Sequence, residues 1–145
     1  QRQMCIRDRF QSIALIPTMT AYENVEFALR LAKNDVINEN THDRVSELLE
    51  RVGLSKRMDH MPDQLSGGEQ QRVAIARALV TNADIILADE PTGALDQKTG
   101  HEVLELLKEI NKSGKTVIIV THDEGIAKMT NRIITISDGK IVGDN

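Results

Sequence analysis

The sequence predicts an α/β fold with a parallel sheet in its second half and a mainly helical first half. Two short apolar runs, 85–88 and 116–120, are separated by an amphipathic helical pattern at 97–111. This order is typical of parallel strands joined by a helical crossover, and all-apolar strands are typical of a sheet covered on both faces. We therefore expect a helical subdomain over about 20–80 and an α/β core over 81–145.

Composition limits the classes of partner. The chain has 145 residues, 40% of them hydrophobic and 28% charged, which fits one globular domain. The net charge is −4 with no basic block, and the aromatic residues are few, so we expect no nucleic-acid partner. No apolar run approaches the roughly 20 residues that span a bilayer, so a membrane role requires a partner protein. The single cysteine, Cys5, fits a reducing compartment.

Helix boundaries in the first half follow from capping and stop signals. Thr20 and Glu23 form a capping-box pattern that predicts a helix to about residue 32, followed by a loop at 33–40. A second helix is predicted from Thr41, with Gly53 as its stop. A connector with a proline follows at 59–65, and then a helix at about 66–80.

The second half ends in a predicted hairpin. Ser113 and Gly114 end the crossover helix, and another helix is expected from 124 to about 130. Asp138-Gly139 is a strong tight-turn signal between strands at 132–137 and 140–142.

Residues 1–9 differ in character from the rest of the chain. They resemble the translation of a transposon-end adapter used in DNA library preparation, and their pattern supports no strand. We interpret 1–9 as a non-native segment and 10–145 as the partial domain. A genomic codon run matching residues 4–9 would refute this interpretation.

A helix start with little side-chain bulk predicts an anion-binding site. Ser66 stands at the N-cap position, and Gly67 and Gly68 follow without Cβ atoms. A phosphate can approach the exposed N–H groups at the positive end of such a helix. The simpler interpretation, that Ser66 only caps a core helix, explains the serine by itself.

Two carboxylates follow the first apolar run. Asp89 and Glu90 come at its carboxyl end, where open α/β sheets bind ligands. In phosphoryl-transfer sites such an aspartate holds Mg²⁺, and a neighbouring carboxylate orients and deprotonates the attacking water. We assign Asp89 to the metal and Glu90 to the water. The alternative is a solvent-facing strand end.

Two further polar residues follow predicted elements. Asp96 stands where the crossover helix needs an N-cap, and capping is a sufficient explanation for it. His122 follows the second apolar run, so parallel neighbouring strands would bring it to the edge that carries Asp89 and Glu90.

The segment 65–79, LSGGEQQRVAIARAL, resembles the signature motif of ABC ATPases, with Glu69 where the short form has Gln. This Glu form resembles the exporter branch that handles macrolides and lipoproteins. The segment 10–25 resembles the Q-loop region of the same branch, with Gln11 as its glutamine. The resemblance covers residue 10 to the end of the chain and implies a P-loop NTPase-like core.

The resemblance implies the role of each site residue. Ser66, Gly67, Gly68 and Glu69 would contact ATP as the signature, and Gln11 would reach toward Mg²⁺ and water. Asp89 would hold Mg²⁺, Glu90 would be the catalytic carboxylate, Asp96 the D-loop aspartate, and His122 the switch histidine.

The family also implies partners and a location. These are a second ATP-binding subunit, a membrane permease, and a place on the cytoplasmic face of the cell membrane. Two other hypotheses remain open: a soluble ABC ATPase of translation or DNA repair, and a non-catalytic module that presents only the signature surface.

One expected motif is missing from the sequence. A phosphate loop of the form G-x-x-x-x-G-K-[ST] is not found, since Gly114-Lys115-Thr116 has Glu109 at the first glycine position and leads from a helix into a strand. We expect a chain that lacks the front part of the cassette and turns over little ATP alone.

Overall fold

A computed structural model describes residues 15–32 and 39–145. The segment 1–9, Gln11 and most of the predicted loop at 33–40 lie outside the described residues. The chain divides into two compact units, Gln1–Ala83 and Asp84–Asn145.

Three helices form the described part of the first unit. They are α1 (Ala21–Ala32), α2 (Glu39–Arg51) and α3 (Gly67–Val80), with a short 3₁₀ helix at Pro62–Gln64. All three helices pack against one another. Their buried side chains recur at helical spacing: Val25 and Leu29 in α1, Val45 and Leu49 in α2, and Val73, Ala76 and Val80 in α3.

The helix boundaries confirm the capping signals. The Thr20 N–H donates to Oε2 of Glu23 at 2.7 Å, and the Glu23 N–H donates to Oγ1 of Thr20 at 3.2 Å. Gly53 takes φ +77 just after α2, a conformation that favours glycine. The start of α2 differs from the prediction by two residues, because Glu39 and Asn40 already belong to the helix.

The second unit contains the parallel strands and the hairpin. In order, its elements are β1 (Ile85–Asp89), α4 (Gln97–Lys112), β2 (Thr116–Val120), α5 (Glu124–Ala127), β3 (Ile134–Ser137) and β4 (Lys140–Asp144). The strands β1 and β2 pair in parallel, with Asp89 opposite Val120, and α4 packs on β2. The hairpin turn has two positive φ angles, +48 at Asp138 and +74 at Gly139, as predicted for this pair.

The parallel strands are covered on one face only, so the prediction of strands buried on both faces is wrong for the described residues. Ile86 of β1 is 5% exposed, whereas Leu87 is 66% and Ile118 44% exposed. Leu87 and Ile118 are partners in the pairing register, so they share a face. The apolar composition of the strands predicted that other elements pack on both faces of the sheet. Among the described residues, α4 packs on one face.

Across 15–32 and 39–145, no helix combines the length and apolar character needed to cross a membrane.

Candidate phosphate-binding and catalytic residues

The first candidate site is the beginning of α3. Ser66 is its N-cap, and its hydroxyl oxygen accepts the Glu69 N–H at 3.3 Å. In return, Oε2 of Glu69 accepts the Ser66 N–H at 2.8 Å. The structure therefore brings the four predicted signature residues, Ser66 to Glu69, together at one helix start.

Two backbone donors at this helix start have no acceptor among the described residues. The Gln70 N–H donates to the Ser66 carbonyl at 2.9 Å, and the Glu69 N–H is taken by the Ser66 hydroxyl. The N–H groups of Gly67 and Gly68 belong to the first turn, which has no intrahelical acceptors. These two groups and the Ser66 O–H are the candidate anion donors; Ser66 and Gly67 are exposed, whereas Gly68 is buried.

The side chain of Gln70 supports the segment before α3. Its amide nitrogen donates to the carbonyls of Pro62 at 2.8 Å and Leu65 at 3.2 Å. These two hydrogen bonds hold the segment 62–65 against the first turn of α3.

The second candidate site lies where β1 and β2 end. Oε1 of Glu90 accepts the His122 N–H at 2.9 Å and is 2.6 Å from Nδ1 of the same residue. Oε2 of Glu90 accepts the Thr121 hydroxyl at 3.2 Å. The expectation that Glu90 and His122 meet at one sheet edge is confirmed by these contacts.

The backbone at Glu90 adopts an unusual conformation for a residue with a side chain. Its φ is +45, in the left-handed region, which costs on the order of 1–3 kcal/mol at a non-glycine residue. The Glu90 N–H still donates to the Val120 carbonyl at 2.9 Å, so the strand pairing continues up to this residue. The pairing offsets part of the conformational cost.

Hydrogen bonds keep Glu90 ionised. The His122 side chain is the largest cause that lowers the pKa of Glu90 below its ordinary value of 4.5, and it outweighs the opposing effect of burial. The His122 N–H and the Thr121 hydroxyl act in the same direction. At neutral pH the group is therefore a carboxylate that can accept a proton.

Asp89 is exposed at the end of β1, next to this cluster. Within 15–32 and 39–145, no group of three or more His, Cys, Asp or Glu side chains is arranged to hold a metal ion. Mg²⁺ often binds through one or two carboxylates together with water and substrate phosphates. A single exposed carboxylate fits that mode of binding.

Asp96 caps α4. Its Oδ1 accepts the N–H groups of Lys98 and Thr99, each at 3.1 Å, and its Oδ2 accepts the Thr99 hydroxyl at 2.6 Å. The Thr99 hydroxyl is the largest cause that lowers the pKa of Asp96. The capping role expected from the sequence is confirmed.

Gly100 has a packing role that the sequence did not reveal. A Cβ built at this position in α4 would lie 3.3 Å from Cβ of Thr92. The missing side chain therefore allows α4 to approach the segment that follows Glu90. The sequence alone showed a glycine within a helix and did not show that Thr92 lies against it.

Asn24 is a second residue that the sequence did not single out. It is 1% exposed, and its side chain bonds to Ile16, Met19 and Thr20. These bonds hold the segment before α1. The buried asparagine was detectable only as a polar residue on the apolar side of the helical pattern.

The site geometry and the fold agree with the comparisons to known proteins. The sequence pattern of the ABC transporter family matches residues 2–93. This chain belongs to the ABC transporter family.

Among its relatives are macrolide export ATP-binding/permease proteins named MacB. The protein from Burkholderia thailandensis is 55% identical and that from Rhodopseudomonas palustris 53% identical, each over 135 residues or 93% of this chain. These matches span 20% of each relative, so the chain corresponds to about a fifth of their length.

Solved ATP-binding cassettes share the fold. The cassette MJ0796, in a dimeric post-hydrolysis state bound to ADP and Pi, is 47% identical with a TM-score of 0.79. The match covers 94% of this chain and 60% of the solved one. A second dimeric structure of this bacterial ABC transporter cassette has a TM-score of 0.77. The predicted α/β cassette core with a helical region is confirmed.

Proposed function

We propose that this chain carries the signature and the catalytic carboxylate of an ATPase that powers export through a membrane permease. The observation that carries the proposal is the contact between Glu90 and His122, 2.6 Å from Oε1 to Nδ1 at the ends of two parallel strands. Together these residues offer a base for water and a polar group for the terminal phosphate.

In the proposed reaction, water attacks the γ-phosphorus of ATP. The ionised Glu90 orients the water and accepts its proton while the bond from the γ-phosphorus to the bridging oxygen breaks, giving ADP and phosphate. His122 turns from Glu90 toward the γ-phosphate as the substrate binds, which frees the Oε1 lone pair. The proton leaves from Glu90 to solvent after phosphate departs.

Mg²⁺ would be held by Asp89, with Gln11 reaching toward it. When bound, the ion offsets the charge that develops on the phosphate oxygens. The exposure of Asp89 leaves room for metal-bound water between carboxylate and ion.

The beginning of α3 would close on ATP held by a second subunit. The N–H groups of Gly67 and Gly68 and the Ser66 hydroxyl would donate to the γ-phosphate. Asp96 would lie near the seam between subunits while it caps α4. The dimeric state described for the solved cassette supports this part of the proposal.

A permease partner and a place at the cytoplasmic face of the membrane are part of the same proposal. The relatives are named as ATP-binding/permease export proteins, which favours an exporter over a soluble ABC ATPase. We also propose the division into a non-native segment at 1–9, a helical subdomain at about 20–80 and a core at 81–145.

A chimeric cassette tests this function. Residues 15–145 would replace the matching part of the solved MJ0796 cassette, which is 47% identical. We expect Mg²⁺-dependent ATP hydrolysis that falls at least about tenfold in Ser66→Ala, because a hydroxyl donor to the phosphate is lost. Ser113→Ala, at the end of α4, is the matched control and should keep the activity.

A folded chimera that binds ATP but hydrolyses it equally well with Ser66 or Ala at this position would contradict the proposed role of α3.

A further inference from the structure

Both carboxylate oxygens of Glu69 are already engaged. Oε2 accepts the Ser66 N–H at 2.8 Å, and Oε1 accepts Nε–H of Arg57 at 3.1 Å. The Ser66 N–H is the largest cause that lowers the pKa of Glu69, and Arg57 contributes in the same direction. Each oxygen of Glu69 thus accepts one hydrogen bond from the protein, and Oε2 holds the Ser66 N–H.

The segment that carries Arg57 is fixed at both ends. The Arg57 N–H donates to the Leu54 carbonyl at 2.9 Å, and the Arg57 carbonyl accepts the His60 N–H at 3.1 Å. Next to it, the carbonyls of Met58 and His60 each accept an N–H of the first turn of α1 at 2.9 Å. The backbone of Arg57 is thus anchored to the end of α2 and the start of α1.

The guanidinium has a second contact that limits its freedom. Its Nη1 lies 3.1 Å from Nε2 of His60. Because a guanidinium only donates, Nε2 of His60 is the acceptor in this contact. Arg57, Glu69 and Lys56 also line one cleft with Gly53 and Ser55.

The negative charge of Glu69 opposes anion binding at the start of α3, and the positive charge of Arg57 offsets it. A carboxylate in the first turn stabilises the helix, but it also repels a second anion that approaches the same N–H groups. A guanidinium bonded to that carboxylate offsets the repulsion. The need for this offset arises from the negative charge of Glu69 and would be absent with an uncharged side chain at this position.

We propose that Arg57 is a positioning residue for the phosphate-facing start of α3. It holds Glu69 in the orientation that binds the Ser66 N–H, and it offsets the carboxylate charge beside the Gly67 and Gly68 donors. The identity of the ligand rests on the function proposed above, whereas the effect of Arg57 on Ser66 does not.

The first test uses water exchange of the Ser66 amide, measured by NMR on the full ¹⁵N-labelled chain at pH 7. Arg57→Gln should speed this exchange about two- to fivefold, as expected for a partly exposed ion pair. Arg57→Lys should restore part of the protection. Lys56→Gln removes the same charge one residue away without touching the pair, and should leave the exchange unchanged.

The second test titrates inorganic phosphate at constant ionic strength and follows the Gly67 and Gly68 amides. Arg57→Gln should weaken the phosphate affinity when Glu69 is present. In a Glu69→Gln background, the same Arg57 change should weaken phosphate binding less, because only the direct attraction of Arg57 for phosphate is lost and no carboxylate has to be held in place.

The outcomes separate the two proposals. If phosphate leaves the wild-type amides unmoved while Arg57→Gln speeds Ser66 exchange, the proposed phosphate site fails and the positioning role stands. Unchanged Ser66 exchange in a folded Arg57→Gln chain overturns the positioning role. Equal loss of phosphate affinity with Glu69 and with Gln at position 69 overturns the charge offset.

Discussion

The same carboxylate oxygen of Glu90 contacts His122 twice, 2.9 Å from the backbone nitrogen and 2.6 Å from ring Nδ1. Because an ionised carboxylate only accepts hydrogen bonds, Nδ1 carries a proton. Nε2 lies on the far side of the ring from this contact. The His122 side chain is 90% exposed, so Nε2 can be reached by a ligand.

This contact predicts a pH dependence of stability. The folded-state pKa of Glu90 lies below its ordinary value of 4.5, so its contribution is present above about pH 4.5 and is lost as the pH falls through the folded-state pKa. Wild type should exceed Glu90→Gln in urea midpoint at pH 7, and this gap should narrow below pH 4.5. Circular dichroism of the whole chain measures both midpoints.

A gap that stays constant or widens as the pH falls below about 4.5 would contradict the lowered pKa of Glu90.

The hydrogen bonds of Asn24 should stabilise the segment that precedes α1. Its Nδ2 donates to the carbonyls of Ile16, Met19 and Thr20, at 3.2, 2.9 and 2.9 Å. Asn24→Ala should cost about 1–3 kcal/mol by leaving these groups unpaired. Asn24→Asp should cost more, because a carboxylate oxygen would face three carbonyl oxygens. Tyr22 is the single tyrosine and there is no tryptophan, so intrinsic fluorescence reports unfolding of the first unit.

Asn131→Asp makes the same charge change at an exposed position and is the control for Asn24. Because Asn131 lies in the second unit, circular dichroism of the whole chain is used to compare the two Asp variants. Equal stability of the two Asp variants would show that the Asn24 bonds contribute nothing.

The exposed face of β1 and β2 predicts a contrast between neighbouring residues. Leu87→Thr and Ile118→Thr should each change the free energy of unfolding by less than about 0.5 kcal/mol, because both side chains are exposed. Ile86→Thr, on the buried face, should cost about 2 kcal/mol or more. Urea unfolding of the three variants tests the assignment. A cost at Leu87 as large as that at Ile86 would mean that this face is covered.

Local signals in the sequence were sufficient for most element boundaries. The capping box of Thr20 and Glu23 and the N-cap at Ser66 were predicted, because the partners of a cap lie within three residues in sequence. The return bond, in which Oε2 of Glu69 accepts the Ser66 N–H, was not predicted. The hairpin turn, like the caps, was predicted because its residues Asp138 and Gly139 are adjacent in sequence. The pairing of β1 with β2 followed from the strand–helix–strand order, and it brought Glu90 to His122.

Contacts between distant residues were not predictable in the same way. Arg57 and Glu69 are 12 residues apart, and Glu90 and Thr121 are 31 apart. Nothing in the residue types marks such partners. Strand coverage was also misjudged, because an apolar run shows that a face can be buried and does not show what covers it.

Hydrolysis by the chimeric cassette with Glu90→Gln tests the catalytic claim most directly. Removal of a general base should lower the rate about 10²- to 10⁴-fold while Mg²⁺-ATP binding persists. Glu124→Gln, in the first turn of α5, is the matched control and should retain the rate. Glu90→Gln hydrolysis within a factor of about two of wild type would contradict the assignment of Glu90 as the base.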